Sequence, residues 1–208
     1  MLRCLMRKKY TRIGLFGGTF NPIHVGHIQI MRRAKELGSL DVIYCIPTGF
    51  APHKDNAIIL PFDERCSHIQ SKLAHEESIF LSTIESELTI PSYTFRTLQY
   101  FTRSFPYSEQ FFICGSADFL TIDSWEQGEN ILQHTNYIIA PRSTVAFEDV
   151  RKYIEKYTHI ENIEEEENKI SIYSTYAMYI YMCIPMIPIS STEIRAMKRR
   201  DGDNERAN

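Results

Sequence analysis

His24 and His27 stand three residues apart, so they share one face of the first turn of a helix expected to start near Val25. Ahead of them the chain reads Gly17-Gly18-Thr19-Phe20-Asn21-Pro22, after a short apolar strand expected from Arg12 to Phe16. A strand, a glycine turn and a helix amino terminus make a phosphate-binding layout, because unpaired backbone N–H groups and the positive end of the helix dipole face one point. Two imidazoles there add donors, or charge, where the amides already point. A second such layout lies far along the chain. Ser190 and Glu193 have capping-box spacing, so Ser190, Ser191 and Thr192 open a helix whose first amides are ready for an anion. Arg195, one turn in, can fork onto a phosphate. No serine, cysteine or aspartate is set beside an activating base as a nucleophile.

These two stretches carry a resemblance. Gly18 to His27 (Gly-Thr-Phe-Asn-Pro-Ile-His-Val-Gly-His) resembles the His-x-Gly-His signature of the nucleotidylyltransferase superfamily. With Phe16-Gly17 before it, the run is similar to that of bacterial nicotinate mononucleotide adenylyltransferases, and Ile189 to Arg195 resembles their Ile-Ser-Ser-Thr-x-x-Arg stretch. The resemblance covers about Ile13 to Arg195 and implies a Rossmann-like fold. It also implies roles: His24, His27, Lys54 and Arg195 in catalysis, and Gly17, Gly18, Thr19, Phe20, Ser190, Ser191 and Thr192 around ATP and its phosphates. Pro52-His53-Lys54 resembles the family's phosphate-contacting segment. Pro91-Ser92-Tyr93-Thr94 resembles the segment whose backbone helps to recognise a pyridine carboxylate, although Ser92 also reads as a plain helix N-cap. Gly115-Ser-Ala-Asp118 and Trp125 resemble a Gly-x-Asp followed by Trp, whose aromatic stacks on the pyridine. The Gly115-to-Trp125 distance is kept while Asp118 is displaced by one residue. Ala140-Pro141-Arg142 places an arginine where the family holds one near nucleotide. After Arg200 the chain departs from the family, and Asp201 to Asn208 is expected to be a disordered polar tail.

The chemistry this implies needs no covalent intermediate. The phosphate of a mononucleotide attacks the α-phosphorus of ATP in line and pyrophosphate leaves. The protein has to align anions and neutralise charge on the leaving group. Magnesium is expected to arrive on the ATP phosphates and keep most of its waters, with no dedicated protein ligands. By resemblance, the partners are ATP and nicotinate mononucleotide and the product is nicotinate adenine dinucleotide. Another adenylyl- or cytidylyltransferase of the superfamily, or a non-catalytic nucleotide-binding relative, are the alternatives. Phosphopantetheine adenylyltransferases typically carry threonine at the first histidine position, so His24 argues against them.

The whole chain fits these readings. Its 208 residues suffice for a single domain with a sizeable core, residues 1–11 forming an amino-terminal extension. A net charge of −3 gives no broad basic surface for nucleic acid. The five cysteines are scattered, without metal-ligand spacing, as in a reduced cytoplasmic protein. Met1 to Tyr10 has no long apolar run, so no signal peptide is expected. Tyr173 to Pro188 is apolar but short and broken by prolines, which reads as core strand and not as a membrane span.

The elements that must position these residues alternate. Strands are expected at Arg12 to Phe16, Asp41 to Pro47, Ile79 to Ile84, Gln110 to Cys114, Asn136 to Ala140, Ile170 to Tyr173 and Tyr179 to Ile184. Helices are expected from Val25, closed by Gly38 at C′. Others are expected after Pro61, after Ser92, around Phe147 to Tyr157 and from Thr192. Glu164 to Glu167 reads as a solvated loop. This α/β order implies a doubly wound parallel sheet, with ligand beyond the carboxyl ends of its strands.

Overall fold

The computed structural model describes residues 10–50, 59–88, 90–142, 144–185, 191 and 195. Its strands are β1 (Arg12–Gly18), β2 (Val42–Pro47), β3 (Ile79–Leu81), β4 (Glu109–Gly115), β5 (Asn136–Ala140), β6 (Ile160–Glu166), β7 (Lys169–Ser174) and β8 (Met178–Met182). The helices are α1 (Val25–Leu37), α2 (Phe62–Lys72), α3 (Thr94–Ser104), α4 (Ser116–Phe119), α5 (Gly128–His134) and α6 (Phe147–Tyr157). One eight-stranded sheet has the order β3-β2-β1-β4-β5-β8-β7-β6. Pairings are parallel from β3 through to β8, and β7 alone runs against the rest. The strand order reverses direction beside β1 and β4, the switch point at which such sheets leave a crevice.

Alternation along the strands divides the core. Leu15, Tyr44, Ile46, Phe112, Cys114 and Ile139 face α3, α5 and α6, with Phe101, Ile131, Val150 and Ile154 packed on them. Cys45, Ile43, Phe111, Ile113 and Ile138 face α1 and α2, meeting Ile28, Met31, Ala34 and Ile69. Because both faces are covered, β2 is buried along its whole length, which is why it reads as a continuous apolar run.

Several expectations are corrected. The strand expected to reach Ile84 ends at Leu81, and Ile84–Ser86 form a 3₁₀ turn that carries Glu85 inward. Glu164 to Glu166 are not loop but part of β6, an edge strand paired antiparallel with β7. Their charges sit on an exposed edge, where they oppose pairing with another chain. Gly38 has ordinary helical backbone at the end of α1, and the left-handed residue is Ser39 (φ 50°). Val25, whose helical spacing with Ile28, Met31, Ala34 and Leu37 reads as one apolar face, is 53% exposed. The spacing of Phe62, Cys66, Ile69 and Leu73 reads as the apolar face of the helix after Pro61, yet the deeply buried side chains of α2 are Ile69 and Arg65, and Phe62 and Cys66 are half-buried. Among the described residues no helix is long and apolar enough to cross a membrane.

Candidate active site

The carboxyl ends of β1, β2, β4 and β5 open onto one cleft of about 780 Å³, within the range of small-molecule sites. Gly17, Gly18, Thr19, Phe20, His27, Thr94, Gly115, Asp118, Trp125, Arg142, Ser191 and Arg195 all line it. Lys54, Ser190 and Thr192 lie outside the described residues.

The phosphate turn is built differently from the expected glycine turn. Gly17 and Gly18 are the last residues of β1, and none of the described glycines has positive φ. Phe20 takes the left-handed conformation instead, with φ 46°. Its ring lies against Gly18, where an added Cβ would come within 3.0 Å of it. The same ring meets His27 edge-on at 5.1 Å.

His24 is the N-cap of α1 and His27 is its third residue. Their rings stack at 3.7 Å between centroids. His27 lines the cleft, whereas His24, buried behind it, does not. The His24 backbone N–H donates to His27 Nδ1 at 3.2 Å. Burial, helped by His24 and Arg142, pushes the His27 imidazole down to about 3. A ring held in its neutral form, with Nδ1 accepting from the His24 N–H, leaves Nε2–H as the donor on the cleft side.

Arg195 does not stand ready as a whole fork. One of its Nη1–H groups donates to the Asn21 carbonyl at 2.5 Å, and Ser191 donates its hydroxyl to the Pro22 carbonyl at 2.9 Å. The second motif therefore docks on the loop of the first, which explains why two stretches so distant in sequence share one wall. Both residues have helical backbone.

Trp125, Phe112, Leu98, Tyr93 and Thr94 make the apolar end of the cleft. Trp125 meets Phe112 edge-on at 6.3 Å. A backbone donor at Trp125 is excluded, because that N–H is already given to the Ile122 carbonyl at 2.9 Å. Thr94, at the first position of α3, has no carbonyl of its own helix to reach. Ser92 is not the N-cap of α3; Tyr93 is. The Ser92 hydroxyl instead accepts from the Phe50 N–H at 3.0 Å. Asp118 reaches the cleft on the short α4 despite its displaced register. Arg142 is placed by Ser116, whose buried hydroxyl accepts the Arg142 backbone N–H at 3.0 Å.

The sequence reading missed three groups. Glu85 lines the cleft at 9% exposure, accepting from the Gly49 N–H and the Thr97 hydroxyl. Burial pushes its carboxyl up, opposed by those donors, by Ser92 and by the Arg65 charge. Arg65 itself is 2% exposed. Asp123 accepts from the Tyr157 hydroxyl at 2.5 Å and so anchors the turn that leads into Trp125. Only the oddity of an arginine at an apolar position of α2 hinted at any of these.

The cytidylyltransferase-like family model matches residues 15–197. A protein of Clostridium novyi bearing the name "Probable nicotinate-nucleotide adenylyltransferase" is 34% identical over 190 residues, covering 91% of this chain and 86% of the relative. A Geobacter metallireducens protein of the same name is 33% identical, with coverage of 90% and 87%. The fold matches that of Plasmodium falciparum nicotinic acid mononucleotide adenylyltransferase complexed with NaAD. That match has a TM-score of 0.69 at 20% identity and covers 89% of this chain and 83% of the other. On the extent of these matches, the chain belongs to the cytidylyltransferase-like family and, within it, to the nicotinate-nucleotide adenylyltransferases.

Proposed function

We propose that the chain joins nicotinate mononucleotide to the adenylyl group of ATP, giving nicotinate adenine dinucleotide and pyrophosphate, a step of NAD biosynthesis. The observation that carries this reading is the two-ended cleft: a neutral His27 donor beside the phosphate turn at one end, and Thr94 and Trp125 at the other. The triphosphate lies along Gly17 to Phe20, with Ser191 on the same wall and with Ser190 and Thr192, by the family resemblance, contributing to its binding. His27 Nε2–H, Lys54 and the part of Arg195 facing the cleft stabilise charge as pyrophosphate departs. Arg142 and Asp118 face the nucleotide that joins the two ends. The mononucleotide phosphate is already ionised, so no general base is needed and alignment supplies most of the rate.

Magnesium enters as part of the substrate, on the triphosphate. Among the described residues no group of three or more histidine, cysteine, aspartate or glutamate side chains could hold a metal by itself. The reaction needs neither nucleic acid nor membrane, and cytoplasm, where both substrates are soluble, is its place. The chain acts as one domain spanning residues 1–208. The test is a panel of mononucleotides, phosphopantetheine among them, with ATP and magnesium. Pyrophosphate is expected only with a pyridine mononucleotide. Equal release with phosphopantetheine, or ATP hydrolysis without acceptor, overturns the assignment.

A further inference from the structure

Among the described residues, Arg65 and Glu85 are the two buried charges beside the cleft that the reaction does not use, and both act on the same peptide unit. Arg65 Nη2 donates to the Thr48 carbonyl at 2.8 Å. On the opposite edge of that peptide, the Gly49 N–H donates to Glu85 Oε2 at 3.0 Å. A trans peptide points its C=O and N–H in opposite directions, so its dipole lies between the cation and the anion with both ends favourably placed.

Each charge then reaches further, into a different wall. Arg65 Nη1 donates to the Thr19 carbonyl in the phosphate turn at 2.9 Å, and Nε to the Leu60 carbonyl at 3.0 Å. Glu85 Oε1 accepts from the Thr97 hydroxyl of α3 at 2.9 Å. Ser92, just before α3, bonds Glu85 and also exchanges bonds with both backbone groups of Phe50. Gly49 admits no side chain, because a Cβ there would lie 2.5 Å from the Glu85 carbonyl.

We propose that Arg65 and Glu85, acting through the Thr48–Gly49 peptide, are positioning residues that set the spacing between the phosphate turn and the start of α3. The inference rests on the cleft being the adenylyl-transfer site. Thr19 belongs to the triphosphate end and Thr94 to the mononucleotide end. The chain of bonds from Thr19 through Arg65, the peptide and Glu85 to Thr97 spans the two. In-line transfer depends steeply on such spacing, since a displacement of about 1 Å costs roughly 10²-fold. Binding of either substrate alone does not depend on it to that degree.

The signature is therefore a split between turnover and affinity. Glu85→Gln keeps the size of the side chain and removes its charge, and Thr97→Val removes one hydroxyl at constant volume. Glu85→Gln is expected to lower kcat by about 10-fold or more, and Thr97→Val by less. The dissociation constants of ATP and of the mononucleotide, each bound singly and followed by Trp125 fluorescence, are expected to move less than about 3-fold. Arg65→Lys, which cannot span three carbonyls, is expected to show the same split. Its loss and that of Glu85→Gln are expected not to add in the double variant, because both act through one peptide. Wild-type kcat per folded molecule in both Glu85→Gln and Thr97→Val overturns the proposal, even if their melting temperatures fall. So does a loss confined to the affinity of one substrate, or full additivity of the pair. If wild type itself releases no pyrophosphate, the reading of the cleft fails first and takes this proposal with it.

Discussion

The backbone N–H of His24 donates to Nδ1 of His27 at 3.2 Å, closing a ring across the first turn of α1. The bond fixes which nitrogen of His27 carries the proton. Nδ1 is the acceptor, so Nε2 is the donor presented to the cleft. His24 braces this turn through its backbone and its stacked ring, and His27 is the ring that lines the cleft. His27→Ala is expected to lower kcat by roughly 10²-fold, the scale of losing one transition-state donor, with the affinity for mononucleotide little changed. Steady-state pyrophosphate release measures this, and near-normal turnover would move the donor elsewhere.

The same half-buried ring has a consequence for stability. His27 is pushed from about 6.5 down to about 3 by folding. Above pH 6.5 the ring is neutral in both the folded and unfolded chain and nothing is linked. Below it, the unfolded chain takes up a proton that the folded chain refuses. Stability is therefore lost as pH falls from about 6.5 toward about 3, at up to roughly 1.4 kcal/mol per pH unit. The melting temperature of wild type is expected to fall more steeply between pH 7 and pH 5 than that of His27→Gln. Parallel curves would show that the ring titrates freely in the folded protein.

The two motifs whose described residues line one wall of the cleft were legible in the sequence because they use local chemistry: glycines, hydroxyls and histidines at helix starts. The parallel strands were legible because burial on both faces makes them continuously apolar. Arg65 and Glu85 were not, because their partners are backbone groups brought in by other elements, and a charged residue on an amphipathic helix ordinarily faces water. Trp125 illustrates a middle case. The family resemblance marked it as a stacking residue, but only the structure shows its backbone N–H already given to Ile122. Glu164 to Glu166 misled for the opposite reason, since charges on an edge strand have the same pattern as charges in a loop.

The Trp125 turn yields a prediction of its own. Trp125 N–H reaches the Ile122 carbonyl, Gly128 N–H reaches the Trp125 carbonyl, and Gln127 between them is left-handed at φ 57°. A Cβ on Gly128 would lie 1.9 Å from the Ile122 carbonyl oxygen, which is backbone and cannot step aside. Gly128→Ala is expected to cost about 1–3 kcal/mol of stability. At a temperature where the variant remains folded, it is expected to raise KM for the mononucleotide more than KM for ATP. Equal rises in both constants would separate this turn from the pyridine end of the cleft.

The final prediction concerns the ring substituent. Nicotinate carries a carboxylate, which only accepts hydrogen bonds, and nicotinamide carries an NH₂ that donates. With the Trp125 amide spent, the choice falls on the start of α3, where Thr94, first residue of an 11-residue helix and so a source of unpaired N–H groups and positive dipole, lines the cleft. A carboxylate satisfies that donor and the dipole together, while an amide that turns its NH₂ toward them meets a donor head-on. Opposing one buried donor costs roughly 1–3 kcal/mol, so kcat/KM is expected to be at least about fivefold higher for nicotinate mononucleotide than for its amide. Trp125→Ala is expected to weaken both substrates through lost stacking and to leave the ratio nearly intact, because stacking reads the ring and not its substituent. Competition of the two mononucleotides in one reaction decides the matter. Parity, or an advantage for the amide, would move recognition of the ring substituent away from the amide of Thr94.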